Sequence, residues 1–393
     1  ARSSYLQNLR RQCLALPLTS LGDDDDSEAA LTLDDVYIDL ETITQVALSK
    51  AEKAKIASTT RSGPDRDSRP LTALEAAKQC PNLVLLGEPG SGKSTFVQRI
   101  LARLASCQLG EPEAAIPGVP GNLLPVLVVL RDLVPHLGGL EVDSLSDSAR
   151  REKLAGLVRD LAKENLTRLR ATPFAAGLVS AFESGKLLLV LDGLDEVPYD
   201  LQKTFRQTVG AVLAQFHPER VIVTCRIRSY AGEACLTQFE SRTLAPFTED
   251  HIRRFVEHWY KARKNRGHIG VQDAQDKVKD LVQAALDTNL RELAENPMLL
   301  TTMALLHQRE TRLPHQRVQL YTLAVDVLVR RWQKGKTGEK PMSGKLAAFL
   351  NDPPKLRAVL ERLAYEAHQP DPHQEPISGE ERKKAADLPR GIA

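Results

Sequence analysis

Four short and almost wholly apolar runs lie far apart in the chain, at residues 83–86, 124–130, 187–191 and 220–224. Each run has the length of a buried strand, and the stretches between them have the apolar spacing of helices. Strands that are apolar at nearly every position are covered on both faces. The pattern therefore predicts an α/β fold, with a parallel sheet and helices on both of its faces. A weaker fifth strand is predicted near residues 241–244.

After this fifth strand the pattern becomes wholly helical. Thr248 and Asp250 are residue types that begin helices, and we expect a helix to start there. Apolar residues then keep helical spacing from Ile252 to Leu306, which predicts a helical bundle behind the sheet.

The segment that precedes the sheet has a different pattern. Apolar residues at helical spacing, such as Tyr5 and Leu9, predict a helix near the start of the sequence. Residues 36–40 alternate like a strand, and residues 58–70 have the composition of a linker. We therefore expect the sheet domain to begin near Leu71.

Composition narrows the class of protein. The chain has 393 residues, of which 42% are hydrophobic, so it is globular and long enough for two or three domains. Its formal net charge of +2 gives no argument for a nucleic-acid or membrane partner. The longest apolar stretch, 123–130, is much shorter than the roughly 20 residues of a membrane helix. Together with five cysteines that form no C-x-x-C pair, this predicts a cytoplasmic protein with reduced thiols and no structural metal.

Residues 87–95 carry the most specific motif of the chain. They read GEPGSGKST and follow an apolar run, which is the pattern G-x-x-x-x-G-K-S of a phosphate-binding loop. Glycines let the backbone curl so that its N–H groups point inward, and a helix that starts near Lys93 adds the positive end of its dipole. The residues predicted to bind a nucleotide are Gly87, Glu88, Pro89, Gly90, Ser91, Gly92, Lys93, Ser94 and Thr95.

Position in the loop predicts individual roles. Lys93 can reach the β- and γ-phosphates, the Ser94 hydroxyl can bind Mg²⁺, and Thr95 lies beside it for the α-phosphate. The alternative is a glycine-rich turn without a ligand. The strand before the loop and the helical pattern after it favour the phosphate-binding interpretation.

A second motif, LLLVLDGLDEVP, follows about 100 residues after Lys93. Asp192 ends a buried strand and is predicted to hold Mg²⁺, and Gly193 leaves room for phosphate. Asp195 and Glu196 are placed to orient or deprotonate an attacking water, which favours hydrolysis over phosphoryl transfer. The alternative is that Asp195 or Glu196 only caps a helix.

Arg226 ends the fourth strand, in the sequence VIVTCR, and is a candidate for sensing the γ-phosphate. Its alternative is a surface ion pair at the end of a strand, and Arg228 could take the sensing role instead.

Taken together, these motifs resemble the NACHT family of STAND signalling ATPases, and its bacterial branch most closely, over about residues 31–390. The likeness rests on GEPGSGKST, LPVLVVLRDL, LLLVLDGLDEVP, VIVTCR, LAPFTEDHIRRFVEHWY and ELAENPMLLTTMALL. The resemblance implies that Asp192 is the Mg²⁺-associated acid and ranks Asp195 before Glu196 as the catalytic acid. It also makes Arg226 the sensor, and it implies that Pro297 packs near the nucleotide base. The alternative for Pro297 is a plain proline at the start of a helix.

The resemblance also implies a domain order. An N-terminal flank and linker would occupy residues 1–70, a nucleotide-binding domain 71–246, a helical domain 247–312, and the beginning of a winged-helix domain 313–393. The later winged-helix segment, whose histidine touches the bound diphosphate in relatives, is not identifiable. The sequence does not start with Met and ends without a signal for the end of a domain, so we expect a fragment of a longer protein.

The first functional hypothesis is a signalling switch that binds ATP/ADP with Mg²⁺, hydrolyses ATP slowly, changes conformation and self-oligomerises. By resemblance it would act in bacterial anti-phage defence, with an unknown trigger and effector, and the preference for ATP over GTP rests on the resemblance alone. The alternative is a nucleotide-binding scaffold with negligible hydrolysis. A third hypothesis is a nucleic-acid site in the basic and aromatic stretch 258–266. The alternative is that this stretch is a solvated helix end that carries two core aromatic residues.

Overall fold

The computed structural model describes residues 1–16, 31–47, 68–138, 140, 146–309, 320, 322, 325 and 352–368. The chain divides into two compact units, one of Ala1–Thr19 and Asp24–Leu313, the other of Ser20–Asp23 and Pro314–Ala393. The sheet and the helical bundle both belong to the first unit.

The strands of the described residues are β1 (Glu41–Ala47), β2 (Ser68–Thr72), β3 (Asn82–Gly87), β4 (Leu124–Val129), β5 (Leu187–Asp192), β6 (Arg220–Arg226) and β7 (Glu240–Thr243). The helices are α1 (Arg2–Leu14), α2 (Leu33–Val36), α3 (Ala73–Gln79), α4 (Lys93–Gln108), α5 (Leu130–Leu137), α6 (Asp147–Arg168), α7 (Ala175–Glu183), α8 (Tyr199–Phe216), α9 (Glu249–Asn265), α10 (Val271–Ala285), α11 (Arg291–Ala294), α12 (Pro297–Arg309) and α13 (Pro353–His368).

A five-stranded parallel sheet forms the centre of the first unit. Its strand order is β4-β5-β6-β3-β7, so β6 lies between β3 and β5. Nearly every residue of β3, β5 and β6 is buried, which means that helices cover both faces of the sheet. The predicted α/β fold is confirmed, and so are all five predicted strands, with ends that differ by one or two residues.

Parallel pairing brings the predicted motifs to one edge of the sheet. The register pairs Gly87 at the end of β3 with Arg226 at the end of β6, and Val129 with Asp192 at the ends of β4 and β5. The carboxyl ends of all these strands therefore meet at the edge where open α/β sheets bind ligands.

Helix α1 is part of the same core. It packs along α4, and the Tyr5 hydroxyl donates a buried hydrogen bond of 2.6 Å to the Pro125 carbonyl of β4. The Tyr5 ring stacks on Phe174 with 5.0 Å between centroids. The predicted N-terminal helix is confirmed, and its apolar face is buried against the sheet domain.

The strand predicted at residues 36–40 is wrong. Residues 33–36 instead form α2, because Thr32 and Asp35 make a capping box in which the Thr32 N–H donates to Asp35 Oδ2 at 2.7 Å. The strand begins one residue later, at Glu41, and β1 pairs antiparallel with β2. Residues 58–67 of the predicted linker lie outside the described residues, and residues 68–70 belong to β2.

Helices α9 to α12 form the predicted bundle. The Thr248 hydroxyl accepts from the His251 N–H at 3.3 Å, and the Thr248 N–H donates to His251 Nδ1 at 3.2 Å, so His251 rather than Asp250 completes the helix cap. The side chains of Trp259 and Tyr260 are fully buried, and the Tyr260 hydroxyl is 2.6 Å from His307 Nδ1. This contact ties α9 to α12 inside the bundle.

Most of the predicted winged-helix segment, 313–393, lies outside the described residues; α13 and residues 320, 322, 325 and 352 are described there. In the described ranges, no helix combines the length and the apolar character that a membrane span requires.

We predict that Leu9→Ala destabilises the sheet domain by about 2–5 kcal/mol, because Leu9 is buried and its loss leaves a cavity between α1 and the sheet. Gln7→Ala, on the exposed face of the same helix, serves as the control and should change stability by about 0.5 kcal/mol or less. Urea denaturation of both variants measures the difference. Equal stabilities would show that α1 is not part of the core.

Candidate nucleotide-binding site

The nine predicted residues 87–95 form the end of β3, the connecting loop and the first turn of α4. Gly90 and Gly92 have left-handed φ angles of 77° and 92°, so the chain turns sharply before α4 begins at Lys93. The first backbone N–H groups of α4 have no acceptor within the helix and carry the positive end of its dipole. The loop is therefore followed by a ready anion-binding helix end.

Two glycines of the loop leave little room for a side chain. A Cβ on Gly87 would lie 2.4 Å from Ser91 Oγ, and a Cβ on Gly92 would lie 3.1 Å from Leu40 Cδ1. Leu40 is buried, and its carbonyl accepts from the Ala73 N–H at 2.8 Å. The segment before β1 therefore packs directly on the loop, a contact that the sequence pattern did not indicate.

Lys93 folds back over the loop. Its Nζ donates to the carbonyls of Gly87 at 2.8 Å and Glu88 at 3.0 Å. Burial lowers the pKa of Lys93, and the nearby Asp195 carboxylate opposes that shift. The ammonium group thus lies beside the loop and close to the acid motif.

Asp192 joins the two motifs. Its Oδ1 accepts hydrogen bonds from Ser94 Oγ at 3.1 Å and from Thr224 Oγ1 at 2.5 Å. Burial raises the pKa of Asp192, while these two hydrogen bonds act in the opposite direction. A serine hydroxyl next to a carboxylate is a set of oxygen donors that fits Mg²⁺. The chemistry of the pair is therefore compatible with the metal that the sequence predicts.

Asp195 and Arg226 form an ion pair. Arg226 Nε lies 2.7 Å from Asp195 Oδ2, and the Arg226 N–H donates to Asp195 Oδ1 at 3.2 Å. The Asp195 side chain is only 10% exposed, whereas that of Arg226 is 52% exposed. Both oxygens of Asp195 are thus engaged, and the ion pair that the sequence left as the alternative for Arg226 is present.

Glu196 is placed differently from Asp195. It ends the short turn Leu194–Glu196 and is exposed. Its backbone N–H donates to the Gly193 carbonyl at 3.0 Å, while its carboxylate makes no hydrogen bond or ion pair with the described part of the chain. Its carboxyl carbon would lie 3.4 Å from a Cβ on Gly193, whose φ of 92° starts the turn. Glu196 therefore stands over Gly193 at the edge of the sheet.

Sequence reasoning missed Thr224. It is buried in β6, and besides donating to Asp192 it accepts the Gly193 N–H at 2.9 Å. The available signal was a polar residue inside the apolar run VIVTCR.

Sequence reasoning also missed Asn296, the residue before Pro297. Asn296 Nδ2 donates to the Pro89 carbonyl at 2.8 Å, and the Met298 N–H donates to the Gly90 carbonyl at 3.2 Å. Asn296 Oδ1 also accepts from the Met298 N–H at 3.1 Å, which caps α12. Pro297 begins α12 and is half-buried beside this contact. The bundle is thus hydrogen-bonded to the loop itself.

We predict that Gly90→Ala weakens this contact. Its Cβ would lie 2.6 Å from Asn296 Oδ1 and 2.9 Å from Met298 Cβ, in addition to the strain of a left-handed φ. Gly110→Ala is the matched control, because Gly110 has a φ of 102° and no atom within 4 Å of an added Cβ. We expect Gly90→Ala to lose about 1–3 kcal/mol more stability than Gly110→Ala in urea denaturation. Equal losses of stability would mean that the contact between the loop and α12 does not contribute to the free energy of unfolding.

No protein-family model matches the chain, and no curated protein matches it significantly. Among solved structures, domain III of the Thermotoga maritima replication initiation protein DnaA is 14% identical, with a TM-score of 0.33, over 65% of this chain and 87% of that one. C. elegans PCH-2 is 10% identical, with a TM-score of 0.31, over 64% and 60%. Thermotoga maritima RuvB T158V is 13% identical, with a TM-score of 0.33, over 86% and 94%.

TM-scores of this size carry no conclusion for this chain. The loop at the end of β3, the parallel sheet with β6 between β3 and β5, and the acid at the end of β5 are features of its own structure. On these features, the chain has the fold of a P-loop nucleoside triphosphatase.

Proposed function

We propose that the chain is a Mg²⁺-dependent ATPase of NACHT type that turns over slowly and acts as a signalling switch. The observation that carries the proposal is the hydrogen bond of 3.1 Å between Ser94 and Asp192, because it joins the loop to the acid motif. Ser94 and Asp192 would hold the metal, whose chemistry is to withdraw charge from the β- and γ-phosphate oxygens.

The loop and the first turn of α4 would bind the phosphates with backbone N–H groups. Lys93 would leave the loop carbonyls for the β- and γ-phosphates, a stronger partner for a cation, and Thr95 would reach the α-phosphate. Leu40 and Pro297 are the apolar groups proposed to face the base. The choice of ATP over GTP follows from the resemblance to NACHT proteins.

We propose Glu196 as the residue that deprotonates the attacking water. The ion pair with Arg226 supports this choice over Asp195, because a carboxylate that already accepts from a guanidinium and a backbone N–H is a poor base. Asp195 would then position Arg226. A γ-phosphate near Arg226 would compete with Asp195 for the same guanidinium, which is how Arg226 would sense the nucleotide.

We propose that the helical bundle changes its position or dynamics when a nucleotide binds to the loop. Asn296 and Met298 are bonded to loop carbonyls, and Arg266 of the α9 end forms an ion pair of 2.6 Å with Asp35. A change in the loop would therefore reach the bundle directly. To move a population from about 1:99 to 99:1, nucleotide contacts must favour one state by roughly 5.5 kcal/mol.

The wider role is proposed from the resemblance. It comprises self-oligomerisation, an unknown trigger and effector, and action in bacterial anti-phage defence from the cytoplasm. The domain limits at 1–70, 71–246, 247–312 and 313–393 remain predictions.

A nucleotide-binding scaffold with negligible hydrolysis is the second candidate. The observation that favours it is the Asp195–Arg226 ion pair, which neutralises one of the two acids beside Asp192. The hypothesis of a nucleic-acid site at 258–266 is less favoured, because its aromatic residues Trp259 and Tyr260 are fully buried and cannot stack on bases.

Glu196→Gln should retain Mg-ATP binding and lower the rate of hydrolysis about 10²–10⁴-fold, the usual contribution of a general base. Glu183→Gln, an exposed glutamate at the end of α7, is the control and should leave the rate unchanged. Single-turnover hydrolysis and equilibrium binding measure the two effects separately.

Asp195→Asn tests the division of roles between the acids. We expect a smaller loss of rate than for Glu196→Gln, because the amide oxygen can still accept from Arg226. A larger loss would make Asp195 the base. Unchanged turnover in both variants would remove the acids from the mechanism and favour the scaffold.

Asn296→Ser should weaken the coupling of the bundle to the loop, because it removes the bond to Pro89 and leaves only the one from Met298 to Gly90. Serine keeps the helix cap but cannot reach Pro89 as the amide does, so stability should change little. We expect ATP to alter hydrogen exchange in residues 297–309 of the parent protein and to alter it less in the variant. Asn8→Ser, which removes a similar bond of 2.8 Å to the Leu169 carbonyl, is the matched control. An equal response in both variants would contradict the coupling.

A further inference from the structure

Thr224 connects Asp192 with the turn Leu194–Glu196, which carries the other two acids of the site. It lies on β6, which separates β3 from β5 in the sheet, and its side chain is buried. Its hydroxyl donates to Asp192 Oδ1 at 2.5 Å and accepts from the Gly193 N–H at 2.9 Å. Because a hydroxyl has a single proton, the Gly193 bond leaves that proton for Asp192. The direction of both hydrogen bonds is therefore fixed.

This arrangement determines which oxygen of Asp192 is occupied. Oδ1 receives the protons of Thr224 and Ser94, and Oδ2 accepts no hydrogen bond from the described residues. Two donors on one oxygen hold the carboxylate in a single rotamer. Oδ2 therefore remains available to a ligand that binds at the carboxyl edge of the sheet.

The same hydroxyl also fixes the start of the acid turn. Gly193 has a φ of 92°, and the turn Leu194–Glu196 follows it directly. Since Thr224 holds the Gly193 N–H, it sets the backbone from which the Asp195 and Glu196 side chains project. One buried side chain thus connects Asp192 with the turn behind it.

We propose that Thr224 is a positioning residue, whose hydroxyl orients Asp192 for Mg²⁺ and holds the acid turn in register with it. The proposal rests on the proposed function, because it assumes that Mg²⁺ and nucleotide bind at this loop. Thr224 touches neither of them and acts through Asp192 and Gly193. Residues that orient metal ligands typically contribute 10–100-fold to metal affinity or activity.

The test replaces the hydroxyl while conserving shape. Thr224→Val removes both hydrogen bonds, and Thr224→Ser keeps them. Thr208→Val is the matched control, because Thr208 is also buried and its hydroxyl donates to the Thr204 carbonyl at 2.9 Å in α8, away from the site. Thr224→Ala provides a second variant without the hydroxyl, should Val not be accommodated. Circular dichroism selects a temperature at which all variants are folded.

The measurement is the affinity for a fluorescent ATP analogue as a function of Mg²⁺ concentration. We expect Thr224→Val to raise by about tenfold or more the Mg²⁺ concentration at which half of the Mg²⁺-dependent increase in analogue affinity is reached. The affinity for the analogue in EDTA should be unchanged. Thr224→Ser should restore the parent value to within about twofold, and Thr208→Val should match the parent.

The possible failures are distinguishable. If the parent protein does not bind the analogue in a Mg²⁺-dependent way, the proposed function fails. If the parent protein binds it and the Mg²⁺ requirement of Thr224→Val and Thr224→Ala is unchanged, or Thr208→Val shifts it equally, Thr224 is only a satisfied buried hydroxyl and the inference is wrong.

Discussion

Two hydroxyl groups converge on one carboxylate oxygen of Asp192, and the organisation of the site depends on this contact. Ser94 comes from the helix after the loop and Thr224 from the neighbouring strand, so the hydrogen bonds of 3.1 and 2.5 Å join three separate elements. Asp192 is partly buried, and a carboxylate in that setting must be hydrogen-bonded or bind a cation. The two hydroxyls satisfy Oδ1, and the proposed Mg²⁺ would bind the carboxylate as the cation.

The sheet makes the convergence possible. Because β3, β5 and β6 are parallel and buried on both faces, a slip of their register would disrupt the close packing of apolar side chains on both sides of the sheet. Their carboxyl ends, at Gly87, Asp192 and Arg226, are therefore held side by side. Hydrophobic burial fixes the strands, and the polar residues that follow them are brought together as a consequence. The bundle joins this edge through Asn296, so that the loop lies between the sheet and the helices.

The sequence predicted what depends on local pattern. The five strands, the helix at Lys93 and the loop glycines each follow from residue types within a few positions of one another. The roles of Thr224, Asn296 and Leu40 were not predicted, because each residue contacts a part of the chain that is distant in sequence. The separation is 31 residues for Thr224 and Gly193 and 207 residues for Asn296 and Pro89. Leu40 belongs to the segment before the sheet and contacts Gly92. The strand at 36–40 was misplaced because alternation alone does not reveal the Thr32–Asp35 cap. An ion pair was the stated alternative for Arg226, but its partner Asp195 follows from strand order, which one sequence does not display.

Hydrogen–deuterium exchange of the protein with added Mg-ATP, ATP in EDTA, or no nucleotide tests the central claim most directly. If the loop binds phosphates and Asp192 binds the metal, Mg-ATP should protect residues 87–95 and also residues 192–196. ATP in EDTA should protect the first segment alone. Unchanged exchange of residues 87–95 at saturating Mg-ATP would contradict the assignment of the site.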